Sequence, residues 1–164
     1  MACDVIHADV FAAAVSHLAP AGVILTAAWR GQRHAVALTS GQILAADPGS
    51  VMVSVDRRHQ IYSAIMRSRA LALHILGGPG AVPAEHQREQ APVDEERLLA
   101  VREWATSETG LPVLNGAAAT LECHVETTTT GMRSHVILAC RVDAIRIVEA
   151  HAAVPRASAP SVQA

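Results

Sequence analysis

Apolar and polar residues alternate with a period of two over much of this chain, a pattern typical of half-buried β-strands. In one run, Val51, Val53 and Val55 alternate with Met52 and Ser54. Alternating runs, together with more continuously apolar runs bounded by turn residues, predict strands over 23–28, 34–39, 50–55, 71–76, 118–128 and 134–148. Many short strands without regular strand–helix alternation favour a barrel or a sandwich over a doubly wound sheet.

Three segments have helical spacing instead. Apolar residues three and four positions apart predict helices over 9–18 and 60–68. The run Asp-Glu-Glu-Arg at 94–97 resembles a helix start, because acidic residues are favourable at the positive end of the helix dipole. We interpret the surrounding charged segment, 83–104, as a solvated helical flap.

Length and composition indicate one globular domain. The chain has 164 residues, of which 51% are hydrophobic, enough to bury a sizeable core over residues 1–150. From 151 to 164 alanine, proline and serine dominate, so this tail is predicted to be disordered. A net charge of −2 and only 2% aromatic residues argue against nucleic acid or an anionic membrane as partner. No uncharged apolar stretch reaches the roughly 20 residues of a membrane span.

The cysteines and histidines suggest neither a disulfide framework nor a metal site. Cys3, Cys123 and Cys140 are odd in number and widely spaced, and the N-terminus does not resemble a secretory signal, so we predict a cytoplasmic protein with reduced thiols. A tight register of the last hairpin would place His124 opposite His135. Because no ligand spacing supplies further donors, we predict no metal site.

Several short motifs follow one another in a characteristic order. They are Leu18-Ala19-Pro20-Ala21-Gly22-Val23, Gly31-Gln32-Arg33-His34, Asp47-Pro48, Thr109-Gly110-Leu111-Pro112-Val113-Leu114, Leu121-Glu122-Cys123-His124-Val125 and Ser134-His135-Val136-Ile137. In order and spacing they resemble the flavin reductase family, over about Phe11 to Val148. The resemblance implies a mainly β fold with a few helices, the FMN-binding split β-barrel.

The resemblance also implies a function. Members are homodimers that bind flavin near the subunit interface and reduce it with NAD(P)H, often for a partner monooxygenase. For this chain it implies FMN or FAD as the flavin. Residues implied to line the flavin are Thr39, Ser40, Gln42, Asp47 and Pro48. Arg57, Arg58 or His59 could bind its phosphate. His135 matches a position close to the flavin and the nicotinamide, where an imidazole can donate a hydrogen bond or relay a proton.

Some residues of the flavin cradle depart from the family pattern. A threonine of the usual Gly-Met-Thr segment is Ala37, and hydroxyls before Asp-Pro are replaced at Ile43 and Ala45. Fewer polar contacts predict weak flavin binding, which would suit release to a partner. The asparagine expected in the 71–76 strand is His74, a titratable group and a second catalytic candidate.

Two other functions fit the same residues. A split barrel without flavin could use His74 or His135 for a non-redox acid–base reaction on a small molecule, such as isomerisation or cyclisation. The chain could also be a binding or dimerisation module without catalysis.

Overall fold

The computed structural model describes residues 7–10, 14, 22–38, 43–45, 47–77, 95–100, 102–130 and 133–148. These residues form mainly strands, together with two short helices further along and helical residues at 8–10 and 14. The strands are β1 (Val23–Trp29), β2 (Gln32–Leu38), β3 (Ile43–Ala45), β4 (Ser50–Asp56), β5 (Ala70–Ile75), β6 (Trp104–Thr106), β7 (Pro112–Leu114), β8 (Ala119–Thr129) and β9 (His135–Ile147). The helices are α1 (Gln60–Ser68) and α2 (Glu95–Ala100).

Seven strands form one antiparallel sheet in the order β2-β1-β5-β8-β9-β4-β3. If the sheet were flat, its edge strands β2 and β3 would lie roughly 29 Å apart, at about 4.8 Å per strand. Only residues 39–42 join them, and that link spans at most about 19 Å. The sheet must therefore curl on itself, and the prediction of a mainly β barrel with few helices is confirmed.

The interior of the curled sheet is an aliphatic core. Val51, Val53 and Val55 of β4 point inward and are almost completely buried, as their alternation predicted. Helix α1 adds Ile61 and Ile65 to this core, and it packs against β1 and β2 although it follows β4 in the chain. The helix therefore links the end of β4 to β1 and β2 on the other side of the sheet.

A second, smaller apolar cluster covers the outer face of β1 and β5. Leu98 of α2 and Leu114 of β7 pack there against Ile24 and Leu76. His34 Nδ1 lies 2.7 Å from Glu95 Oε1 and ties α2 to β2. The described part of the predicted flap is therefore packed on the sheet, so describing it as a solvated helix was wrong for Leu98, which is buried.

Most predicted elements are found within one or two residues, with clear exceptions. The strands β3, β6 and β7 were missed because three residues are too few to show a period of two. His124 pairs with Arg141 rather than with His135, because the last pair before the loop is Thr129 with Ile137, so the chain turns further along than a His124–His135 pairing requires. The predicted tail, 151–164, and most of the predicted 9–18 helix lie outside the described residues. No helix among the described residues is long and apolar enough to cross a bilayer.

Candidate functional site

The end of β4, the start of α1 and the start of β9 meet at one place, which we call the His135 corner (residues 56–59, 134 and 135). Asp56 and His135 are cross-strand partners in the β4–β9 pair. The backbone N–H of Arg57 donates to the Ser134 carbonyl at 2.8 Å, which continues the pairing beyond the strand end. The corner therefore brings acidic, basic and imidazole groups from two distant segments together.

Asp56 is held as a carboxylate by its neighbour. Arg58 donates to Asp56 Oδ1 from Nε at 3.1 Å and from its backbone N–H at 2.9 Å, and to Oδ2 from Nη2 at 2.7 Å. These hydrogen bonds, with the charges of Arg58 and His135 adding to them, hold the pKa of Asp56 far below its usual range. A permanent negative charge therefore lies beside His135.

His135 is half-buried, and its Nδ1 lies 2.9 Å from Ser134 Oγ. A serine hydroxyl can donate or accept, so it is compatible with either neutral tautomer of the ring. Among the described residues, none makes a hydrogen bond to His135 Nε2. This nitrogen can therefore offer a ligand either a donor or an acceptor.

The start of α1 has the chemistry of an anion site. His59 is the N-cap residue, with Nδ1 accepting from the Ile61 N–H at 3.3 Å, and the first turn carries no acidic residue. Arg57 and Arg58 precede the cap, and Arg57 Nη2 donates to the Arg133 carbonyl at 3.0 Å. Helix N-termini and guanidinium groups both favour phosphate. The residues of this corner therefore fit the phosphate of a flavin nucleotide.

The other predicted flavin residues do not all meet at this corner. Thr39, Ser40 and Gln42 lie outside the described residues. Asp47 and Pro48 are exposed in the β3–β4 turn, where the Asp47 carbonyl accepts from the Ser50 N–H at 2.9 Å. The seven residues of β4 place that turn about 20 Å from the corner along the strand. The structure thus separates Asp47 and Pro48 from His59 and His135.

His74 is fully buried on the outer face of β5, beneath the β6–β7 hairpin. Thr26 Oγ1 donates to the Pro112 carbonyl at 2.8 Å, so it must accept from His74 Nε2–H, at 2.9 Å. Nδ1 is then the acceptor, 3.2 Å from Thr120 Oγ1 and 3.4 Å from the Leu114 N–H. Burial lowers the pKa of His74 to about 4, which keeps the ring neutral at neutral pH.

The two histidines predicted to be catalytic do not share a site. His74 pairs with Thr120, and Thr120 pairs with Arg146 of β9. Arg146 and His135 lie at opposite ends of β9, separated by about 35 Å of strand. The structure therefore presents two separate histidine environments, of which only the His135 corner offers a ring nitrogen to a ligand.

Known proteins share this arrangement of motifs and strands. Residues 15–156 match the flavin reductase like domain. The chain belongs to the flavin reductase family. The reductase component of 4-hydroxyphenylacetate 3-monooxygenase from Pseudomonas aeruginosa is 26% identical over 140 residues, covering 85% of this chain and 81% of that protein. The FMN reductase (NADH) RutF of Yersinia enterocolitica is 32% identical over 104 residues, covering 60% of this chain and 52% of that protein.

Solved structures of flavin reductases have the same fold. The NADH:FAD oxidoreductase of Streptomyces globisporus, in complex with NAD and FAD fragments, superposes with a TM-score of 0.64 at 19% identity, over 80% of this chain and 76% of that one. The styrene monooxygenase flavin reductase of Pseudomonas putida gives a TM-score of 0.61 at 23% identity, over 84% and 86%. The predicted split-barrel fold is confirmed.

Some residues around these family positions were not recognised from the sequence. Asp56 is the last residue of β4, where the alternation ends. The charged run Asp56-Arg57-Arg58 was the sequence signal that could have drawn attention to it. Thr26 lies within an apolar run and gave no signal of its partnership with His74. Burial raises the pKa of both Cys123 and Cys140, the latter to about 12, so neither offers a thiolate. Among the described residues, no three histidine, cysteine or acidic side chains are grouped to hold a metal ion.

Proposed function

We propose that the protein is an NAD(P)H-dependent flavin reductase that supplies reduced FMN or FAD to a partner monooxygenase. The observation that carries the proposal is the His135 corner, where a histidine with an available Nε2 lies beside the positively charged start of α1. The names of the relatives support both the flavin reduction and the monooxygenase partner. One relative is the reductase component of a monooxygenase, and others are FMN reductases (NADH).

Each group of the corner has a distinct task in this proposal. Bound flavin supplies the redox chemistry, because its ring accepts a hydride from NAD(P)H. Arg57 and the positive end of the α1 dipole attract its phosphate, and His59 keeps that helix start in place by accepting from the Ile61 N–H. His135 donates a hydrogen bond to the ring or to the nicotinamide through Nε2.

The remaining predicted residues are assigned by their positions in the chain. We propose that Thr39, Ser40 and Gln42 lie along the flavin, as the resemblance implies. Asp47 and Pro48 would instead shape the β3–β4 turn, because β4 separates them from the corner. With Ala37, Ile43 and Ala45 in place of polar residues, flavin binding is weak, and this suits a protein that releases reduced flavin to another enzyme.

The non-redox alternative requires a histidine that titrates near neutral pH. His74 has both ring nitrogens occupied by Thr26 and Thr120 and has a pKa of about 4. We therefore assign His74 a structural role, and the observations favour flavin reduction over acid–base catalysis at that residue.

We further propose that the protein is a homodimer. Leu44, Met52 and Ala139 are consecutive cross-strand partners on the outer face of β3, β4 and β9. Leu44 is 62% exposed and Met52 38%, which is unusual for large apolar side chains on neighbouring strands. A second copy of the chain is the occupant that covers this row. Because Cys123 and Cys140 are free thiols, we place the dimer in the reducing cytoplasm.

The function is tested by titrating the purified protein with FMN and FAD while flavin fluorescence is followed, and by measuring flavin-dependent oxidation of NADH and NADPH. Saturable binding of at least one flavin together with turnover of at least one nicotinamide is the expected result. Absence of both, at flavin concentrations up to the high micromolar range, would contradict the proposal.

A further inference from the structure

A cleft of about 440 Å³ opens between the tips of two hairpins, the β1–β2 hairpin and the β6–β7 hairpin. Residues from both tips line it: Ala28, Trp29, Arg30, Arg33, Thr106 and Gly110. None of them belongs to the His135 corner. Its volume lies in the range of about 300–1,000 Å³ that is usual for small-molecule sites.

Arg30 has an unfavourable backbone position at this cleft. Trp29 and Gln32 are the last cross-strand pair, so Arg30 and Gly31 form a two-residue turn with φ of 50° and 79°. Such turns favour asparagine, aspartate or glycine, because other side chains are strained at positive φ. The Arg30 guanidinium lies 5.8 Å from the centroid of the Trp29 ring. A strained position that holds an arginine on the cleft wall points to a role for its side chain.

A second guanidinium lines the same cleft. Arg33 is the cross-strand partner of Ala28, and both line the cavity together with Thr106 from the other hairpin. Within the described part of the chain, neither Arg30 nor Arg33 forms an ion pair, and no acidic residue lines the cleft. Two unpaired positive charges in one concavity attract an anion.

The opposite wall is fixed by hydrogen bonds that are partly or fully buried. Thr109, at the tip of the β6–β7 hairpin, donates to Glu122 Oε2 of β8 at 2.8 Å. Ser107 Oγ accepts from the Leu111 N–H at 3.2 Å, and Thr26 holds the Pro112 carbonyl. The cleft is therefore largely preformed, which lowers the entropic cost of binding.

We propose that this cleft binds a small planar organic anion, in which a carboxylate or phosphate group is attached to an aromatic ring. Arg30 and Arg33 would bind the oxyanion, since guanidinium groups match carboxylate and phosphate oxygens in pairs. The ring would lie against Ala28 on the outer face of β1, with the Thr106 hydroxyl at its edge. This site is additional to the flavin site and does not depend on it.

Calorimetric titration with phenyl phosphate and with benzoate tests the proposal and distinguishes the two kinds of anion. At least one of them should bind saturably. Inorganic phosphate lacks the aromatic ring, and benzyl alcohol lacks the anionic group. Each should therefore bind at least about tenfold more weakly, which corresponds to the loss of one good contact. Failure of both organic anions to bind at millimolar concentration would overturn the proposal, and equal binding of inorganic phosphate would overturn the part given to the aromatic ring.

Two variants locate the site. Arg33→Gln and Arg30→Asn should each weaken binding about tenfold or more, whereas Arg67→Gln, at the exposed end of α1, should not. Arg30→Asn should also raise Tm, because asparagine suits the turn, so its loss of binding cannot come from unfolding. Unchanged binding in both variants, or competitive displacement of the probe by FMN, would show that the anion binds elsewhere.

Discussion

Thr26 determines the tautomer of His74. Its hydroxyl proton is directed to the Pro112 carbonyl at 2.8 Å, so the oxygen can only accept from His74 Nε2, 2.9 Å away. This chain of hydrogen bonds joins β1, β5 and β7 through the side chains of Thr26 and His74 and the backbone of β7. His74 is thereby a structural link between the sheet and the β6–β7 hairpin.

Replacing Thr26 with valine should therefore destabilise the protein. The variant Thr26→Val leaves His74 Nε2–H and the Pro112 carbonyl without partners in a buried layer, which costs about 1–3 kcal/mol. Urea unfolding followed by circular dichroism measures the loss. Thr129→Val, on an exposed position of β8, is the matched control and should stay within about 0.5 kcal/mol of the parent. Equal stability of the two variants would contradict the hydrogen-bond assignment.

His74 should also make stability depend on pH. Its folded-state pKa of about 4 lies below the unfolded value of 6.5, so the unfolded chain takes up the proton first as pH falls. The stability that comes from keeping His74 neutral is fully present above pH 6.5. It is lost as the pH falls from 6.5 to 4, by roughly 3 kcal/mol in all. His74→Gln can still donate to Thr26 but does not titrate. The difference in unfolding free energy between parent and variant should change over this interval, and a constant difference would contradict the lowered pKa.

The sequence predicted the long strands but not their arrangement. The inward residues of β4 alternate strictly because one face is buried, so the strand was visible without a structure. The pairing of β1 with β5 joins segments far apart in the chain, and no local pattern encodes it. The strands β3, β6 and β7 could not be predicted, because three residues are too few to show a period of two. They are strands only because they pair with neighbours that the sequence does not reveal.

Sequence alone also could not tell His74 and His135 apart. Both are histidines in apolar strands. Burial keeps His74 neutral, and Thr26, 48 residues away, sets its tautomer. Thr26 is itself oriented by Pro112, 86 residues further along. His135, by contrast, lies opposite Asp56 because of the β4–β9 register. The difference between a structural and an available histidine is set by tertiary contacts.

Phosphate recognition by the His135 corner is tested by comparing FMN with riboflavin, which lacks the phosphate. Arg57→Gln should weaken FMN binding by about 1.5–3 kcal/mol, the contribution of a hydrogen bond to a charged group, and leave riboflavin binding unchanged. Fluorescence titration measures both affinities, and Arg67→Gln is the control at the far end of α1. Equal weakening of both ligands would mean that Arg57 supports the fold rather than the phosphate.

His135 should matter for turnover more than for flavin affinity. His135→Asn removes an Nε2 group that can donate to the nicotinamide or the ring, and positioned acid–base groups contribute roughly 100-fold or more to rate. We expect kcat/KM for NADH to fall by about one to two orders of magnitude, with flavin Kd changed little. His124→Asn, which alters a half-buried histidine opposite Arg141, is the matched control. An equal fall in kcat/KM in both variants would contradict the role given to His135.

The apolar row of β3 and β4 should be the subunit interface. Met52→Glu places a carboxylate between Leu44 and Ala139, and a charge buried without a partner opposes association strongly. We expect the parent to be a dimer by light scattering coupled to size exclusion, and the variant to be a monomer with a normal strand spectrum. Ser63→Glu, on the exposed side of α1, changes the charge equally and should leave the dimer intact. A monomeric parent would contradict the interface, as would a dimeric Met52→Glu protein, because the row would then lie outside any contact between subunits.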